Sequence, residues 1–218
     1  ADETLRRRAT LALVKKFRSH QLTDAQIRPS ASDFVGLKYS GAPADLLPVL
    51  RERGPDCEDV LAFAISLTDE WELSELSEAL ADLMLDPSVP ERPRVTAGYS
   101  LVKIGTPAAK LRLKALLVSS DPDPDQQLRG LALRCNWPSN LTDAEMLAAL
   151  PKRSRRSFSG AYEGFLFDLD AQGFQADGDR LAGLQWAATQ LQRDKDYDPA
   201  VRIAKRIARA ALNEVADP

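Results

Sequence analysis

Apolar residues fall at helical spacing along almost the whole chain. Leu128, Leu131, Ala132 and Cys135 stand at i, i+3, i+4 and i+7 and make one stripe of a short helix. Pro138 then biases Trp137 out of the helical region and stops it. Near the C-terminus Val201, Ile203, Ala204, Ile207, Ala208 and Ala211 cover about half of a helical wheel, while Arg202, Lys205, Arg206 and Arg209 fill the opposite arc. The same periodicity predicts helices near residues 4–18, 42–52, 57–68, 73–84, 92–104, 107–118, 143–150, 158–169 and 179–192. No run alternates apolar and polar residues for long enough to specify a strand.

Helix starts are written in local chemistry. Thr106-Pro107, Asp123-Pro124 and Asp198-Pro199 each place a side-chain acceptor before a proline at the first helical position, where the missing N–H leaves no bond unmade. Thr142-Asp-Ala-Glu145 and Thr23-Asp-Ala-Gln26 have capping-box spacing.

An internal repeat organises these helices. The turn Asp86-Pro87 recurs as Asp121-Pro122, and the helix Arg94–Ile104 aligns with Gln127–Trp137, giving a period of roughly 34 residues with two helices per unit. One such unit cannot bury its apolar stripe alone, so neighbours must stack. The expected fold is therefore all-α, a right-handed α-α superhelix of HEAT or armadillo character. Residues 1–40 are expected to form an N-terminal helix and connecting segment, continuous with repeats over 41–218.

Composition narrows the function. The net charge is −3, but it is unevenly spread: eleven acidic residues and no lysine or arginine lie between Asp56 and Glu91. Cationic clusters stand in the first helix, in the loop Lys152, Arg153, Arg155, Arg156, and in the last helix at Arg202, Lys205, Arg206 and Arg209. These eight residues of the loop and the last helix are the candidate partner-binding set. Two cysteines, Cys57 and Cys135, lie far apart and read as reduced, buried thiols of a cytoplasmic protein. No stretch is long and apolar enough to enter a membrane, and a start at Ala1 inside a helix reads as a segment cut from a longer chain.

Residues 125–169 carry a family resemblance. The helix with Leu128-Arg129-Gly130, Ala132-Leu133 and Trp137-Pro138, the next helix opened by Leu141-Thr142 with Glu145-Met146-Leu147, and then Phe158, Gly160-Ala161-Tyr162 and Phe165-Leu166 resemble the HEAT-like region that follows the NACHT-type ATPase in bacterial STAND proteins, relatives of NOD-like receptors. Upstream, Val95, Ala97, Tyr99, Leu101 and Gly105 look like the preceding unit, so the resemblance extends over 40–218. It implies an array that senses a trigger, often a foreign protein in antiviral defence, and restrains or signals to the ATPase. The chain departs from the whole architecture in having no GxxxxGK[ST] loop.

Catalytic chemistry finds little material. His20, the only histidine, sits at a helix end with no nucleophile motif beside it, and one histidine with two distant cysteines does not make a usual zinc set. Asp168-Leu-Asp170-Ala-Gln172-Gly173 opens like an EF-hand loop, but Gln175 at position eight and Asp179 at position twelve depart from it, so a polar turn is the expectation. Asp121-Pro-Asp-Pro-Asp125 fits worse. Glu72, Glu75 and Glu78 read as an exposed acidic face, and Trp71, Trp137, Trp186, Tyr162 and Phe165 as packing aromatics. A non-enzymatic recognition and scaffold segment, with no metal or cofactor and with a protein partner or another domain of its parent, is therefore expected. The alternatives are a HEAT-like nucleic-acid protein of the DNA glycosylase kind, which the intervening acidic block disfavours, and a bilin-lyase-like enzyme, which nothing supports.

Overall fold

The computed structural model describes residues 2–23, 31–119, 123, 125–150, 160–191 and 198–216. Among them every regular element is helical: twelve α-helices and three short 3-10 turns, with no strand. The chain divides into two compact units, Ala1–Ala115 and Leu116–Pro218. No helix among the described residues is long and apolar enough to cross a membrane.

The first unit contains α1 (Glu3–Arg18), α2 (Ala42–Leu50), α3 (Glu58–Glu70), α4 (Ser77–Leu85), α5 (Glu91–Ile104) and α6 (Pro107–Arg112). Helices α1, α3 and α5 lie side by side in one layer, α2, α4 and α6 in a second, and α2 packs on α3 as α4 packs on α5. The seam between the layers buries Leu46, Leu50, Leu61, Ile65, Leu80, Leu83, Met84 and Leu101. Phe17 stacks on Phe63 with ring centres 4.4 Å apart. Trp71 is buried as well, and its indole N–H donates to the Phe34 carbonyl at 2.9 Å, so the aromatic body lies in the core with its polar edge satisfied.

The second unit repeats the arrangement. After the one-turn α7 (Ala115–Val118), which spans the boundary, come α8 (Gln127–Asn136), α9 (Asp143–Ala149), α10 (Ala161–Ala171), α11 (Arg180–Gln190) and α12 (Pro199–Ala216). Here α8, α10 and α12 make one layer and α9 and α11 the other, with α11 packed on α12. The stripe Leu128, Leu131, Ala132, Cys135 is buried as its spacing predicts. On α12 Val201, Ile203, Ala204 and Ile207 are buried, while Ala208 and Ala211 are only half-buried.

The caps explain where helices begin. The Thr106 hydroxyl accepts from Ala109 N with Pro107 in the first turn, Thr142 and Glu145 form the reciprocal capping box, and Asp198 accepts from Ala200 N. Thr23 is followed by residues outside the described set, as are Asp121, Pro122 and Pro124. Trp137 is extended, with φ −94° and ψ 139°, and ends α8 before Pro138.

Two boundaries differ from expectation. The segment 107–118 is two helices: Leu113 N and Lys114 N bond three residues back, to Lys110 O and Leu111 O, so the ladder tightens and breaks after Arg112. Helix α8 begins at Gln127 because Gln126 takes left-handed backbone at φ 57°. Asp123 still caps it from further back, its two oxygens accepting from Leu128 N at 3.3 Å and Arg129 N at 2.9 Å.

Candidate functional site

Long-range ion pairs recur at nearly constant sequence separation. Arg18 meets Glu52, thirty-four residues on. Arg53 meets Asp86 across thirty-three, Lys103 meets Asp69 across thirty-four, and Arg112 holds Glu78 across thirty-four and Asp82 across thirty. In the second unit Arg134 binds Asp168 across thirty-four and Arg180 binds Glu214 across thirty-four. Uncharged links follow the same interval: the Gln127 amide oxygen accepts from Ala161 N across thirty-four residues, and Asp143 accepts from Gly178 N across thirty-five.

An arginine, buried at Arg94 and half-buried at Arg129, recurs as well. Arg94 Nε donates to the Met84 carbonyl ten residues upstream, and Arg129 Nη2 donates to the Ser119 carbonyl, also ten upstream. Each guanidinium thus satisfies a carbonyl at or just past the end of the preceding helix, where the dipole favours a cation. These matching roles align position 94 with 129 and replace the expected alignment of Arg94 with Gln127. The helices are then offset by thirty-five residues, as Asp86-Pro87 and Asp121-Pro122 are in the sequence.

This pairing changes the reading of the acidic block. Its cations come from the flanking segments: Arg92 lies 3.7 Å from Glu58, and Arg53, Lys103 and Arg112 take Asp86, Asp69, Glu78 and Asp82. Ser88 and Arg53 together hold the Asp86 carboxyl down to about 2. Glu72 and Glu75 stay exposed, as an acidic surface requires.

The predicted basic site divides in three. Lys152, Arg153, Arg155 and Arg156 lie outside the described residues. Arg202 and Arg206 are half-buried and close on one carboxylate: Arg202 Nη2 approaches Asp170 Oδ2 at 2.6 Å, and Arg206 Nη2 approaches Asp170 Oδ1 at 3.0 Å. These two cations therefore join α12 to α10. Lys205 and Arg209 are exposed on α12.

The carboxylates of the calcium-like motif take part in similar bonds. Asp168 is held by Arg134, Asp170 by Arg202 and Arg206, and Asp179 accepts from Ala182 N at the start of α11. No cluster of three metal-ligating side chains occurs among the described residues. The Cys57 thiol donates to the Gly54 carbonyl at 2.9 Å, and burial pushes its pKa up, away from the reactive thiolate. His20 is exposed just beyond α1, in left-handed backbone, with its N–H on the Phe17 carbonyl.

One surface was not anticipated. Leu181, Leu184 and Leu191 of α11 and its end, with Leu212 and Val215 of α12, are exposed. Their signal was present in the spacing 181, 184, 188, 191, which is that of a coiled-coil seam. Compared with protein families, curated proteins and solved structures, the chain matches none.

Proposed function

We propose that the chain is a non-enzymatic helical-repeat segment, each unit built of HEAT-like repeats with the right-handed turn usual for such helix pairs, which binds a partner protein or another domain of a larger STAND-type signalling protein. One observation carries the scaffold part: helices in adjacent positions are tied by ion pairs about 34 residues apart in both units. Side chains that otherwise attract attention as chemistry serve this architecture. The assignment to a NACHT-associated defence protein rests on the resemblance of residues 125–169 and adjoining repeats.

The test begins with the parent gene. A P-loop is expected upstream of this segment, and removing the segment from the full-length protein should alter trigger-dependent nucleotide hydrolysis. A parent with no P-loop, or one whose regulated hydrolysis is unchanged by the deletion, contradicts the proposal.

A further inference from the structure

We infer that the face of α1 turned away from α3 docks an acidic helix of a partner protein, one whose carboxylates stand two turns apart and take Arg8 and Lys15. The inference rests on the recognition role proposed above and names its partner chemistry.

The wheel of α1 divides between the unit and solvent. Thr10, Val14 and Phe17 are buried where α1 packs on α3 and on the turn Ala31–Leu37. Three cations are used beside that contact. Arg6 donates to the Lys38 carbonyl at 3.1 Å, Arg7 holds Asp45 of α2 at 2.7 and 3.0 Å, and Arg18 pairs with Glu52 just past α2. The opposite arc carries a stripe at Leu5, Arg8, Ala12 and Lys15, spaced three, four and three, and every member is exposed. Leu11 and Lys16 flank the stripe and are exposed too, and Leu5 is 60% exposed. Among the described residues Arg8, Lys15 and Lys16 meet no carboxylate, in contrast to Arg7 and Arg18 of the same helix.

The same unit shows how a helix edge of this kind is used. In the layer of α1, α3 and α5, helix α5 sends two cations back to its neighbour: Arg92 lies 3.7 Å from Glu58 of α3, and Lys103 lies 3.3 Å from Asp69. The cations are eleven residues apart on α5, and the carboxylates eleven apart on α3. Equal spacing on the two helices lets both pairs close at once. Helix α1 presents a comparable pair, Arg8 and Lys15, seven apart on an arc that no described helix covers. Continuing the layer by one helix therefore calls for carboxylates seven apart, which share one face of a helix. Between them a small or apolar residue would lie over Ala12, whose short side chain lets another backbone come close. The three-four spacing of the stripe is that of a helix-on-helix seam.

Charge and apolar content together select the occupant. The cations disfavour a basic helix and a second copy of α1, either of which would bring like charges together. A lipid surface needs an apolar face to bury, and that of α1, with Val14 and Phe17, already lies in the core. A nucleic-acid backbone is met chiefly by cations. Here Leu5 and Leu11 stand among them and suit the apolar stripe of an amphipathic helix.

The test uses the full chain and three labelled synthetic helices with identical leucine stripes, in fluorescence anisotropy titrations. The first carries two glutamates seven residues apart, the second the same glutamates five apart and so on different faces, and the third two lysines seven apart. The expected result is saturable binding of the first, about tenfold or more tighter than the second, and no binding of the third. Arg8→Gln with Lys15→Gln should weaken the first about tenfold or more, and Arg8→Glu with Lys15→Glu should abolish its binding and confer binding of the third. No binding of the first helix, equal binding of the first two, or binding untouched by these variants overturns the inference. So does a rival occupant: a dimer in sedimentation velocity that the glutamate variant abolishes, or duplex DNA or phosphatidylserine vesicles bound more tightly than the first helix. If the helix fails while deletion of the segment still deregulates the parent, the docking face is wrong and the scaffold role stands; the reverse pattern retains the face and removes that role.

Discussion

Arg134 and Asp168 are thirty-four residues apart in sequence, yet Arg134 Nε and Nη2 both donate to the same carboxylate oxygen, at 3.1 and 2.6 Å. The bond ties α8 to α10, helices one repeat apart. Exposed pairs of this kind contribute little to stability, on the order of 0.5 kcal/mol, because water screens the charges and two long side chains lose freedom. Their value lies in register: a slip of one helix against the next would leave the arginine facing the wrong residue.

A double-mutant cycle with Arg134→Ala and Asp168→Ala should give a coupling energy of about 0.3–1 kcal/mol in urea denaturation. Additive single mutants would show that the two side chains do not interact in solution.

Gly130→Ala should destabilise the second unit by about 2 kcal/mol or more, although alanine is normally the better helix former by nearly 1 kcal/mol. The added methyl would lie 2.2 Å from Tyr162 N and 2.5 Å from Tyr162 Cα, both backbone atoms at the start of α10. Chemical denaturation decides the sign. A stabilised variant would place α8 farther from α10 than described.

Leu131→Ala should cost about 2–5 kcal/mol, since Leu131 is fully buried on the stripe of α8. A loss well under 2 kcal/mol, measured by urea denaturation, would mean that the stripe faces elsewhere.

Much of this architecture was legible because its determinants are local. The capping residues Thr106, Thr142 and Asp198 and the spacing from Leu128 to Cys135 each act within a turn or two of their own helix. The start of α8 was not, because left-handed Gln126 delays the helix while Asp123 caps it from a distance. The fate of Arg202 and Arg206 was also hidden: on a helical wheel they look as solvated as Lys205 and Arg209. Their bonds depend on the placement of Asp170, thirty-two and thirty-six residues earlier, which periodicity within α12 does not announce. For the same reason the block from Asp56 to Glu91 looked uncompensated, its cations lying in neighbouring segments.

Acid should weaken the first unit through Asp86. Its carboxyl is lowered to about 2 from 3.8 by the Ser88 hydroxyl, Arg53 and the Ser88 amide. A depressed folded-state pKa gives stability that is present above about pH 4 and lost as pH falls toward 2. With solvent screening at this half-exposed pair the contribution is about 1 kcal/mol. Asp86→Asn should remove that part of the pH dependence between 4 and 2, seen as a smaller drop in thermal midpoint; an unchanged slope would show that Asp86 titrates normally.

Zero-length carbodiimide cross-linking with peptide mapping tests the central claim, a helical array tied at intervals of about 34 residues, most directly. The reagent joins a lysine to a carboxylate only where they touch. Lys103 and Asp69, 3.3 Å apart, should be linked in the native chain, and the variants Arg134→Lys and Arg112→Lys should add links from position 134 to Asp168 and from position 112 to Glu78 or Asp82. Cross-links that join these positions to carboxylates at unrelated intervals, with the expected three missing, would contradict the repeat.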